Sequence, residues 1–282
     1  MRVEYPVMRS TPQQHRWHFA IGSKRASAIV MLTVISPAKS LDFETAAPIE
    51  NLSFPRLADR TERLARSLGR KSRDALQKII PVSDKLIELN RNRYRNFFDQ
   101  PEKQAIFAYN GDVYIGLEAR TMDDAALAFG QTHLRILSGL YGLLRPLDAI
   151  RPHRLEMGTK WAPSHARLTD FWGNSIFDLL RRDMEEAGAQ VLINLASQEY
   201  WAVVAPYAHR HGMRVISVDF RQEGPDGPKF QSFAAKRARG MMARFICDNH
   251  LIDPDQLKSF DSDGYRFVAG DSDETLLRFV RA

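Results

Sequence analysis

Residues 31–42 read MLTVISPAKSLD. Met31 to Ile35 form an unbroken apolar or β-branched run of strand length, and Ser36-Pro37 breaks it at once. With no polar alternation, the run predicts a strand buried on both faces, hence a sheet covered by helices. Similar runs at 105–109, 191–195 and 214–220 alternate with helical patterns at 55–67, 73–79, 83–96, 123–137, 169–186 and 234–250. Ser83 and Thr169 stand at the starts of two of these as N-caps. The alternation predicts an α/β fold, a single domain whose mixed central sheet is flanked by helices. Runs at 229–233, 265–269 and 276–280 read as antiparallel additions, the last two separated by Gly270-Asp271-Ser272-Asp273. No repeat or long linker divides residues 31–282, so one domain is expected there.

The composition excludes several classes. Of 282 residues 44% are hydrophobic, ordinary for a globular chain, and no apolar run reaches the roughly 18 residues needed to span a bilayer. A single cysteine, Cys247, rules out an intrachain disulfide and any Cys-pair zinc site, and favours a reducing, cytoplasmic setting. Lying in a Met- and Phe-rich helical run, Cys247 is expected to be a small buried filler. The eight histidines show no ligand spacing, so no metal and no cofactor are expected. The net charge is +6, but Arg2, Arg9, Arg16, Lys24 and Arg25 against Glu4 place +4 of it in residues 1–30 and leave +2 for the rest. A polyanion-binding surface must therefore come from clustering rather than bulk charge. Residues 1–30 lack the apolar core of a secretory signal and are expected to be a disordered extension or sequence upstream of a natural start at Met31.

Five segments carry candidate chemistry. The 134–161 stretch, LRILSGLYGLLRPLDAIRPHRLEMGTKW, joins an apolar helical pattern to glycines and spaced cations. Arg135, Arg145 and Arg154 are candidate phosphate ligands, with Gly139 and Gly142 admitting a partner's backbone. The alternative is two crossing helices with solvated arginines. In the helix near 234–250, winding at about 100° per residue puts Lys236, Arg237, Arg239 and Arg244 on one arc, opposite Ala238, Met242, Phe245 and Ile246. That face either meets a polyanion or is simply wetted. The loop after the first strand offers Lys39, with Asp42 able to pair with it, but no GxxxxGK[ST] is present. Residues 107–116, FAYNGDVYIG, place aromatics beside a flexible turn that can stack a base or close a core. At 194–201, Asn194, Ser197 and Glu199 form a possible polar pocket beside Lys39 if the two strands adjoin, although capping also explains Ser197.

Taken together, ISPAKSLDF (35–43), SDKL (83–86), GDVYIGL (111–117), LSGLYGLLRPLD (137–148), RLEMGTKW (154–161), FWG (171–173), NLAS (194–197) and KRARGMMARFI (236–246) resemble the YaaA peroxide-stress family. The resemblance runs from Met31 almost to the C-terminus. It implies a cytosolic bacterial protein of the hydrogen peroxide response that limits iron-dependent peroxide damage and binds DNA. It also implies a basic cleft and a helix-hairpin-helix-like element, here at 137–142, although the glycine spacing departs from the usual hairpin. The expected partner is DNA, gripped through phosphates by Lys39, Arg135, Arg145, Arg154, Lys236 and Arg239 without sequence readout. The competing expectation is an enzyme acting on a nucleotide or nucleic-acid component around Lys39, Asp42, Asn194 and Glu199; no catalytic set transfers from the family.

Overall fold

The structure is a computed structural model describing residues 29–282. Most of the expected extension, residues 1–28, lies outside the described residues. The order begins β1 (Met31–Ile35), β2 (Ser40–Leu41), α1 (Ala58–Gly69), α2 (Arg73–Ile79), α3 (Asp84–Arg95). Next come β3 (Lys103–Gln104), α4 (Ala105–Ala108), β4 (Tyr109–Asn110), α5 (Asp112–Leu117), α6 (Asp124–His133), β5 (Leu134–Ser138), β6 (Gly142–Leu144) and β7 (Ala149–Ile150). The last part holds α7 (Leu168–Trp172), α8 (Ser175–Ala187), β8 (Val191–Leu195), α9 (Gln198–Trp201), α10 (Ala205–Arg210), β9 (Val215–Gln222), α11 (Ser232–Asp248), β10 (Arg266–Phe267) and β11 (Leu276–Arg281). No helix among the described residues is long and apolar enough to cross a membrane.

Seven strands form a mixed sheet in the order β10-β11-β9-β8-β1-β5-β6. β11, β9, β8, β1 and β5 are parallel, and β10 and β6 run antiparallel at the two edges. Every residue of β1, β5 and β8 is buried, the pattern of strands covered on both faces. α6 and α11 pack on β1 and on each other, and α8 packs on β1 and β6. From β1 the chain proceeds to β5 on one side and later to β8 on the other, which makes the carboxyl ends of β1 and β8 a topological switch point. In open α/β sheets ligands bind in the crevice there.

Several sequence expectations are corrected. The helix expected over 123–137 stops at His133, because Leu134 and Ile136 pair with Thr33 and Ile35 of β1. Sheet pairing thus overrides the helical periodicity of LRIL. The helix-hairpin-helix-like element expected at 137–142 is instead the β5-β6 hairpin, with Ser138 opposite Gly142 and φ +73° at Gly142. Residues 105–109 hold one helical turn instead of a strand, tied through Ala105 N–H to Asp148 O and Ile106 N–H to Pro146 O. The pattern at 169–186 breaks at Gly173, φ +51°, into α7 and α8, so Thr169 lies inside α7 and is not its cap. Ser83 does occupy the N-cap of α3, without a side-chain cap bond. In the 229–233 region only Lys229 bridges back to Gln222, and β11 runs parallel to β9, not antiparallel.

A buried ionic knot joins the sheet to its cover. Asp183 of α8, fully buried, accepts from Arg56 and from Arg135 of β5. Burial opposes its ionised form, yet the two guanidiniums hold its carboxyl below the usual range. Asp183→Asn leaves two guanidiniums without a counter-charge in the interior, a change that typically costs about 3–5 kcal/mol. In urea unfolding the midpoint should fall with the slope unchanged; an unaltered midpoint would show the knot to be dispensable.

Candidate functional site

At the switch point the two strand ends are stitched together. Ser36 Oγ accepts from Ser197 N–H at 2.8 Å and lies 3.3 Å from Ser197 Oγ. Asn194, 7% exposed, turns the chain below them, its Oδ1 accepting from Ala196 N–H at 3.0 Å. Above this floor opens a cleft of about 850 Å³, lined among others by Lys39, Ser197, Glu199, Asp219, Lys236 and Arg239. α11 reaches the cleft because its backbone abuts α5: a Cβ on Gly240 would stand 1.8 Å from Val113 O, and Val113 itself lines the cleft. No side chain fits that contact, so glycine is required there.

The charges of the lining differ in how they are used. Asp219 of β9 accepts from Arg221 at 2.7 Å and from Arg278 at 3.2 Å. Glu199 accepts from Gly158 N–H at 3.1 Å. Lys39 lies 3.2 Å from Glu156, which also holds Arg154 at 3.0 Å. Lys236 and Arg239, by contrast, have no carboxylate within 4 Å among the described residues. Arg239 is half-buried, and its Nε is enclosed without a hydrogen-bond partner. Burial lowers its pKa, opposed by the charge of Asp219. A desolvated guanidinium lacking a counter-charge is costly unless an anion completes it.

Of the expected phosphate ligands, Lys39, Lys236 and Arg239 line the cleft, and Arg154 lines a narrow recess behind Lys39. Arg135 is taken up by Asp183, and Arg145 by the buried Asp148 at 2.9 Å, so neither reaches the cleft. Gly139 lines the same recess as Arg154; its O accepts from Trp172 Nε1–H at 3.0 Å, and a Cβ on it would stand 2.1 Å from Leu155 O. Gly142 faces inward, where a Cβ would meet Leu57 and Trp172. Ser197 and Glu199 of the polar pocket line the cleft, and Asn194 supports it from beneath. Asp42 does not pair with Lys39; its carboxylate caps the turn through Glu44 N–H and Thr45 N–H, the latter chiefly lowering its pKa. In the basic arc of α11, Arg244 is held by Asp248 at 2.6 Å. Cys247 is buried, and burial pushes its thiol up to about 12.

Asp219, Arg221 and the exposed Phe230 also line the cleft and were not singled out from sequence. The strand-end rule that selected Lys39 and Ser197 applies equally to β9 and was the signal for them.

The family profile described as "Peroxide stress protein YaaA" matches residues 31–270. The chain belongs to the YaaA peroxide-stress family. Among similar proteins, a UPF0246 protein of Rhizorhabdus wittichii is 49% identical over 252 residues, covering 89% of this chain and 99% of its own. One from Janthinobacterium sp. is 43% identical over 256 residues, with 89% and 98% covered. Another, from Caulobacter vibrioides, is 44% identical over 243 residues, with 85% and 94% covered. YaaA membership supports a role in peroxide stress.

The recess in this YaaA protein carries its own titration. His153 is buried edge-on between Tyr109 and Tyr141, its Nδ1 2.7 Å from Arg151 O, and burial pushes its pKa down from 6.5 to about 4. As pH falls below 6.5 the unfolded chain takes up a proton that the folded one refuses until about pH 4. Stability is therefore lost across that window, by about 3 kcal/mol in all, and no further below it. Urea unfolding at pH 7 and pH 4.5 should show a difference smaller by about 2–3 kcal/mol in His153→Gln; equal differences would place the proton elsewhere.

Proposed function

We propose that this peroxide-stress protein binds DNA in the switch-point cleft, holding phosphates without reading sequence. The observation that carries the reading is Arg239, half-buried in the cleft lining beside Lys236 with, among the described residues, no carboxylate within 4 Å. A phosphodiester oxygen meeting the outer N–H groups of that guanidinium supplies the missing counter-charge. Two exposed aromatics support the same reading. Phe230 lines the cleft with the Arg221 guanidinium 5.6 Å above its ring, and Phe233 stands 65% exposed at the start of α11. Unpaired bases stack on such rings beside cations.

The link to peroxide is electrostatic. Cations on a protein displace the condensed counterions of a polyanion, and ferrous iron associated with DNA is among the counterions so displaced. Holding phosphates thereby limits the iron available to react with peroxide at DNA.

A second reading, an enzyme acting on a nucleotide or nucleic-acid component, draws on Lys39, Ser197 and Glu199 sharing one cleft above Asn194. Its signature is a chemically altered nucleotide after incubation.

A salt titration of oligonucleotide binding tests the binding reading. The double variant Lys236→Glu/Arg239→Glu, checked for folding by circular dichroism, should lose affinity, and its log–log salt slope should be shallower by about 0.7 per phosphate contact removed on a single strand, or about 0.9 on a duplex. Unchanged affinity and slope would end the reading.

A further inference from the structure

Outside the cleft, α1 and its C-cap residue Arg70 present a row of arginines. Arg60, Arg63, Arg66 and Arg70 are exposed and recur every three or four residues, opposite the buried Thr61, Leu64, Ala65 and Leu68. At 1.5 Å per residue this stripe runs about 15 Å along the helix. Acids do not account for it. Among the described residues only Arg66 has an acid partner, Glu62 at 2.6 Å, while Arg60, Arg63 and Arg70 are in no ion pair. Arg63, Arg66 and Arg70 line one groove with Asp59 and Glu62, and Arg60 and Arg63 line a neighbouring one with Asp59 and Asp170.

Three of the four arginines are nevertheless held in place. Arg60 and Arg63 lie over the Phe171 ring at 5.6 and 5.7 Å, and Arg66 lies over Phe98 at 4.4 Å. The neighbouring Lys71 ammonium stands 5.0 Å over Trp161. Arg60 also donates to Phe171 O at 2.5 Å. Stacking fixes a guanidinium's plane while leaving its outer N–H groups available, the arrangement that suits a phosphate's oxygens. An open groove of about 660 Å³ runs between this stripe and the turn at Pro163 and Ser164, where Arg63 approaches Ser164 Oγ at 3.5 Å.

One chain segment joins the groove to the cleft. Arg154 and Glu156 line the recess behind Lys39, the exposed Lys160 follows, Trp161 lies under Lys71, and Ser164 closes the groove. We infer that the α1 ridge is a second contact for the phosphodiester backbone of a strand seated in the cleft, so that a long strand spans both surfaces and a short one occupies the cleft alone. The inference rests on the DNA-binding reading and adds to it a length dependence and a set of residues on separate elements.

The test uses the whole chain with fluorescent single-stranded oligodeoxynucleotides of about 4 and about 24 nucleotides, a range bracketing common strand-site sizes. Arg63→Glu/Arg70→Glu, and the milder Arg63→Gln/Arg70→Gln, change only exposed side chains; circular dichroism and thermal melting confirm that each folds. For the long strand, the Glu variant should bind at least about tenfold more weakly, with a salt slope shallower by about 1.4, the effect of two phosphate contacts. The Gln variant should shift in the same direction by less, and short-strand binding should match the wild type in both. If the wild type binds both lengths and the ridge variants bind the long one equally well, the ridge is overturned and the cleft stands. If the ridge variants lose both lengths alike, the ridge is no separate contact and the inference falls. A wild type that binds neither length removes the cleft reading and the ridge with it.

Discussion

The site depends on two helix backbones meeting where side chains would not fit. Gly116 of α5 and Gly240 of α11 face each other's main chains: a methyl group on the first would stand only 2.1 Å from Arg237 O, and one on the second 1.8 Å from Val113 O. Because α11 can come no closer and is packed no farther, Lys236 and Arg239 are delivered to the carboxyl ends of β1, β8 and β9, beside Val113 and Gly111. Packing at this density transmits displacement, so the position of the charged groups is a property of the helix contact. The stitched serines, Ser36 and Ser197, set the opposite wall by fastening the two strand ends between which the cleft opens.

Cations are abundant throughout the chain, and what distinguishes them is whether the fold has already provided each with an acid. Arg56 and Arg135 share Asp183, Arg145 has Asp148, Arg154 and Lys39 share Glu156, and Arg221 and Arg278 share Asp219. Those of Asp183, and the pairs Lys39–Glu156 and Arg278–Asp219, join distant stretches of chain, while the others fix a local turn or strand. Arg239 has no such partner among the described residues although it is half-buried, and Arg60 and Arg63 are braced by an aromatic ring instead of a carboxylate. A guanidinium that is both positioned and uncompensated is poised for an external anion in a way that a wetted surface arginine is not.

Much of the fold is legible in the sequence where burial imposes one pattern. β1, β8 and β9 are apolar runs of strand length, and α2 is bounded by Ser72, whose hydroxyl accepts from Ala75 N–H, and by Pro81. LRIL at 134–137 is not legible, since an apolar run directly after a helix fits either continued helix or a buried strand; pairing with β1 decides it. AIFAY at 105–109 fails the same way in reverse. The strand-end rule finds Lys39, Ser197 and Glu199 because it needs only local order. It cannot reveal that Arg135 meets Asp183, 48 residues away, or that Lys39 meets Glu156 instead of Asp42. Charge count and spacing say nothing about such partners, which is why the expected phosphate ligands divide into four that line the cleft or its recess, Lys39, Arg154, Lys236 and Arg239, and two, Arg135 and Arg145, that are taken up by buried acids.

The most direct test of Arg239 as an uncompensated anion receptor is a crystal structure of the chain grown with a short oligonucleotide. The account predicts a phosphate oxygen within hydrogen-bonding distance of the Arg239 guanidinium, between Lys236 and the Ser197 turn. An oligonucleotide seated on a face away from the ends of β1, β8 and β9, with Arg239 closed onto a carboxylate of the protein, would contradict it.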